Sequence, residues 1–149
     1  PLSEEVLTDL APLAENKDVT LDCAGDALAI GSDTLLYRLV FNLVENAIRY
    51  SRPDSTVNVS ISDSDSRVFL RVEDQGPGIP KQYRESIFQP FFRLDKSRSR
   101  AYGGAGLGLA LVWEIAALHG GTVEVETSSE NGATMLVSLP KRSVALTEQ

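Results

Sequence analysis

The chain has 149 residues, 42% of them hydrophobic and 23% charged, proportions that suit one domain with a substantial core. A net charge of −7 argues against nucleic acid as the general partner, and the single Cys23 allows no internal disulfide, which favours a reducing, cytoplasmic setting. No apolar run approaches the ~18 residues of a membrane span, and no signal-peptide pattern opens the chain.

From the N-terminus, Ser3 is placed to cap a first helix whose positive end carries Glu4 and Glu5. Pro12 falls inside this pattern, where it costs about 3 kcal/mol, so a kink or break is expected there. Residues 19–23 (VTLDC) and 27–30 (ALAI) read as short strands. Between Asp33 and Tyr50 the residues Leu36, Val40, Leu43 and Ala47 recur at helical spacing. The alternating runs Val57/Val59/Ile61 and Val68/Leu70/Val72, joined by SDSDS, predict two antiparallel strands. Residues 75 to 103 show little periodicity beyond one turn at 81–88, yet carry Phe88, Phe91 and Phe92, as a functional lid would. A second helix runs from Gly106 to Leu118 and stops at Gly120 and Gly121. Val123/Val125 and Met135/Val137/Leu139 form a last hairpin around Glu130, Asn131 and Gly132, and the tail 141–149 is expected to be disordered.

Several places along this chain suit chemistry. Arg38, Asn42, Asn46 and Arg49 share one face of the helix 33–50, and two amides one turn apart can offer oxygens to a hard cation. The same spacing also describes the plain polar side of an amphipathic helix. Asp74 has the parity of Val68, Leu70 and Val72, so its carboxylate points to the core side at the strand's end and needs donors there. An exocyclic purine amine would serve; so, more blandly, would a turn before glycine. Arg93, Lys96, Arg98 and Arg100 cluster in an acidic chain, either as a solvated loop or as partners for phosphate. Directly after them comes GGAGLGL. It lacks the Gly-Lys-Ser/Thr of a P-loop and does not follow a strand as a dinucleotide fingerprint would. A helix N-terminus remains, where free amides and glycine backbone suit phosphate oxygens; a glycine-rich helix start without a ligand is the alternative.

Taken in order, NLVENAIRYS, VEDQGPGI, FQPFFR, GAGLGL and NGAT resemble the N, G1, F, G2 and G3 boxes of the ATP-binding domain of sensor histidine kinases, within the wider group of gyrase, Hsp90 and MutL. The resemblance spans about residues 3–140. It implies an α+β fold, a two-layer α/β sandwich whose mixed, mostly antiparallel sheet has helices on one face, with ATP and magnesium held between a helix and a long lid. On it, Asn46 takes the magnesium role and Asn42 supports the metal or phosphates. Arg49 would lie near phosphate, and Tyr50 would line the nucleotide site. Asp74 would read adenine, with Gly76, Gly78 and Ile79 forming the pocket loop and Thr134 helping to hold the base. Gly104, Gly106, Leu107, Gly108 and Leu109 match the phosphate-side loop, Lys96 and Arg98 add charge, and Arg93 would steady the phosphoryl group during transfer.

The family's phosphoacceptor histidine belongs to a separate dimerisation domain, and the only histidine here, His119 in ALHGG, suits a helix C-cap instead. ATP-hydrolysing relatives carry a glutamate four residues before the metal asparagine; here that residue is Asn42, which cannot take a proton from water. The resemblance therefore implies a protein histidine kinase domain, monomeric when isolated, cytoplasmic, and part of a full-length protein anchored in the inner membrane. Its partners would be the histidine-bearing dimerisation domain and, indirectly, a response regulator. A free-standing serine kinase of the anti-sigma-factor type and a non-catalytic nucleotide-sensing module are the alternatives.

Overall fold

The computed structural model describes residues 2–25, 33–90, 108–129 and 131–141. Among them are three α-helices, α1 (Leu2–Asn16), α2 (Asp33–Tyr50) and α3 (Gly108–Leu118). Five strands, β1 (Val19–Gly25), β2 (Ser55–Asp63), β3 (Arg67–Glu73), β4 (Thr122–Ser129) and β5 (Gly132–Pro140), form one sheet in the order β1-β2-β3-β5-β4. Only β1 and β2 run parallel; the other neighbours are antiparallel, β2–β3 and β4–β5 being the two pairs that the alternating runs predict.

The alternation has a physical consequence. Val57 and Val59 of β2, Val68, Leu70 and Val72 of β3, and Met135, Val137 and Leu139 of β5 are all buried on one face of the sheet. Against that face lie the helices, with α2 in the middle packing α1 on one side and α3 on the other. Leu39, Leu43, Val44 and Ile48 of α2 join Val6 and Leu10 of α1 and Val112 and Ile115 of α3 in one continuous core. This is the two-layer α+β sandwich implied by the motifs. No helix among the described residues is long and apolar enough to cross a membrane.

Three details differ from the sequence reading. α1 runs without a break through Pro12. Pro12 is exposed, so the carbonyl of Thr8 that loses its donor lies on the water side, where solvent can replace the missing bond. The lid's single turn is two 3-10 turns, Lys81–Tyr83 and Ser86–Phe88, the second anchored by buried Ile87 and Phe88. β1 extends two residues past Cys23 to Gly25. The 27–30 strand, residues 91–103 of the lid and the tail 142–149 lie outside the described residues.

α3 ends as its glycines require. Gly121 N–H donates to Ala116 C=O at 2.8 Å and Gly120 N–H to Ala117 C=O at 3.0 Å, with Gly120 at φ 74°. His119 Nδ1 sits 2.8 Å from the Ile115 carbonyl oxygen, so this histidine caps its helix as expected.

Candidate functional site

β3 delivers Asp74 to the end of the sheet. Its backbone continues the pairing with β5, N–H to Ala133 C=O at 2.9 Å, so its side chain shares the core face with Val72. The residue is 8% exposed, and a carboxylate at that depth needs donors. Two backbone amides provide them: Gly76 N–H at 3.0 Å and Ala133 N–H at 3.2 Å, both on Oδ1. Oδ2 has no hydrogen-bond partner among the described residues. Burial pushes the Asp74 carboxyl above the usual carboxylate range, and the two amide bonds only partly offset it. The site thus holds one acceptor oxygen of a largely buried carboxylate in reserve.

The end of α2 lies directly beside this carboxylate. A Cβ at Gly76 would run into the backbone carbonyl of Tyr50, so only glycine lets the loop pack against the last turn of the helix. A Cβ at Gly78 would likewise strike the Ser129 carbonyl, and Ile79 N–H donates to Ser128 Oγ at 2.7 Å. These two glycines therefore fasten the loop to α2 and β4. At Gly108, the first residue of α3, an added Cβ would meet nothing within 4 Å.

On α2, Asn42 and Asn46 are half-buried, one turn apart, and neither side chain is hydrogen-bonded among the described residues. Two amides left in this state on a helix that otherwise buries leucine and valine are chemically suited to a hard cation, which takes one or two protein oxygens and completes its shell with water and phosphate. Arg49 is an i,i+4 partner of Glu45 at 3.2 Å, and its backbone carbonyl accepts from Lys17 Nζ at 2.9 Å. Glu45 is thus engaged along the helix with Arg49. Tyr50 contributes the backbone carbonyl against Gly76.

Thr134 is placed differently from its expected role. It pairs with Glu73 and has the parity of Leu136 and Ser138, so its side chain leaves the sheet on the face away from Met135 and the Asp74 carboxylate. It lines, with Glu73, Thr127 and Asn131, a polar cleft of about 330 Å³ that also touches Asp74. The partner of the carboxylate on β5 is its neighbour Ala133, through an amide that no side-chain pattern could announce. Leu109 follows Gly108 on α3, half-buried against the core. Arg93, Lys96, Arg98, Gly104, Gly106 and Leu107 lie outside the described residues.

Residues 31–143 match the family described as histidine kinase-, DNA gyrase B-, and HSP90-like ATPase. The sensor-like histidine kinase SenX3 of Mycobacterium tuberculosis is 41% identical over 129 residues, 85% of this chain and 32% of SenX3. The sensor protein RstB of Escherichia coli K12 is 51% identical over 106 residues, 71% of this chain and 24% of RstB. Among solved structures, full-length ShkA in complex with AMPPNP superposes with a TM-score of 0.83 at 28% identity, covering 96% of this chain and 30% of ShkA. The chain thus spans about a third or less of these longer proteins.

Proposed function

Because this chain belongs to the histidine kinase-, DNA gyrase B- and HSP90-like ATPase family, we propose that it binds Mg-ATP and passes the γ-phosphoryl group to a histidine on a separate dimerisation domain, from which a response regulator receives it. The observation that carries the reading is the Asp74 carboxylate, buried, with one oxygen spent on two backbone amides and the other unspent beside the end of α2. When bound, ATP supplies the phosphoryl group and magnesium the neutralising charge.

The chain's own residues bind and orient. Asp74 Oδ2 accepts from the exocyclic amine of adenine, a bond that guanine, with a carbonyl at that position, cannot provide. Asn46 would hold the metal through its amide oxygen, with Asn42 one turn earlier supporting metal or phosphate. The first amides of α3, unobstructed at Gly108, suit phosphate oxygens at the positive end of an eleven-residue helix. The groups assigned to metal and phosphate include no base. Asn42 and Asn46 are amides, and Glu45 is paired with Arg49, so water is not activated here. A neutral imidazole is already a nucleophile and needs no such base.

The test is a comparison of two reactions. Isolated protein with Mg-ATP should release phosphate very slowly, and adding a histidine-bearing dimerisation domain should yield an acid-labile, base-stable label on that domain. Rapid steady-state phosphate release by the isolated chain would favour a hydrolase. An acid-stable, base-labile label on another protein would favour a serine kinase.

A further inference from the structure

Gln75 follows Asp74, and three of its polar groups are bonded to the segment 51–56 that leaves α2. Its N–H donates to Ser51 Oγ at 3.3 Å, and its backbone carbonyl accepts from Arg52 N–H and Arg52 Nη1, each at 3.4 Å. Its side-chain Oε1 accepts from Thr56 N–H at 2.6 Å, the shortest of the set. Ser51 itself is buried.

The register explains why a side chain does this work. β2 and β3 pair as far as Asn58 with Glu73; two residues further, the same ladder would pair Thr56 with Gln75. The main chain has already turned away there, giving its carbonyl to Arg52 in place of the sheet. Gln75 Oε1 takes over the ladder bond that its own backbone has left. The backbone after Asp74 is thereby free to swing against Tyr50, where Gly76 allows close approach, while the sheet end stays paired.

We infer that Gln75 is a positioning residue that fixes the spacing between Asp74 and the asparagines of α2, and so couples recognition of the base to recognition of the phosphates. The inference rests on the nucleotide reading above, in which these groups hold opposite ends of one ligand. Loosening the joint should then penalise a ligand that bridges both ends far more than one that touches only the base.

Competition against a fluorescent ADP analogue gives affinities for adenosine and for Mg-ADP, in wild type, Gln75→Ala and Gln75→Glu. Gln75→Ala should weaken Mg-ADP by about two- to tenfold, the effect of one ordinary hydrogen bond, while adenosine changes little. Thr56 N–H lies at the surface, where water can replace the lost acceptor, so the melting temperature should barely move. Gln75→Glu keeps the acceptor oxygen and should restore the Mg-ADP affinity. Ser51→Ala, which removes the acceptor of Gln75 N–H, should act in the same direction as Gln75→Ala. An unchanged ratio of Mg-ADP to adenosine affinity in Gln75→Ala overturns the inference. So does an equal loss for both ligands with a lowered melting temperature and no rescue by glutamate, which would mark a purely structural residue. If wild type binds neither ligand, the nucleotide reading itself falls, and this inference with it.

Discussion

Asp74 holds a charge where folding alone would favour a neutral group. Burial raises its pKa, so the folded protein binds this proton more tightly than the unfolded chain does. The sign follows: Asp74 costs nothing to folding at low pH, and its penalty grows as pH rises through the ordinary carboxylate range to the raised folded value. Asp74→Asn keeps an acceptor oxygen for the Gly76 and Ala133 amides and removes the charge. The empty variant should therefore melt at or above the wild-type temperature at pH 7, and the difference should shrink towards pH 4; thermal melts across that interval check it. Binding should move the other way. Losing a charge-assisted acceptor costs roughly 1.5–3 kcal/mol, about 10- to 100-fold in affinity for Mg-ADP by calorimetry. A variant that is both less stable and unchanged in affinity would mean that Asp74 is structural. In wild type, the same titration should weaken adenine nucleotides as pH falls through the raised pKa.

At the scale of elements, α1 offers the clearest disagreement between propensity and structure. Pro12 lies inside a helix running from Leu2 to Asn16, with Val6, Leu10 and Ala14 buried beneath it. Packing of that apolar face outweighs a local preference of about 3 kcal/mol against proline. Pro12→Ala should then raise stability, by up to about 2 kcal/mol once the looser unfolded chain is allowed for. Chemical denaturation measures this; no gain would mean that the helix is interrupted at Pro12 in solution. The other elements were plainer to read. α2 and the strands β2, β3 and β5 follow from periodicity, because each buries one face and the sequence records which residues face inward. The joints were not legible. That Gly76 meets Tyr50, that Gly78 meets Ser129, and that Gln75 completes the ladder of Thr56 depend on backbone groups remote in sequence, which carry no residue-type signature. The site shows the same division. Asp74 could be picked out by its parity, whereas its Ala133 donor could not, and the face taken by Thr134 required the register with Glu73.

For the whole molecule, the proposed reaction places donor and acceptor on different domains, and that has a kinetic consequence. On the proposed reaction the acceptor histidine lies on another domain, because His119, the single histidine of this sequence, contacts the Ile115 carbonyl at the end of α3. Within one longer protein, a flexible connection holds two domains at an effective concentration of order millimolar. Supplied as separate pieces at a few micromolar, the same domains meet about a hundred to a thousand times less often. Transfer in trans should therefore be slower than in the connected protein by about that factor. Its rate should rise linearly with acceptor-domain concentration through the micromolar range. Quench-flow with labelled ATP at several acceptor concentrations tests this. Saturation at micromolar acceptor, with a rate equal to that of the connected protein, would show a docking surface strong enough to make the connection dispensable. A linear dependence would instead assign to this domain the nucleotide alone, and to the rest of the protein the task of bringing the histidine within reach.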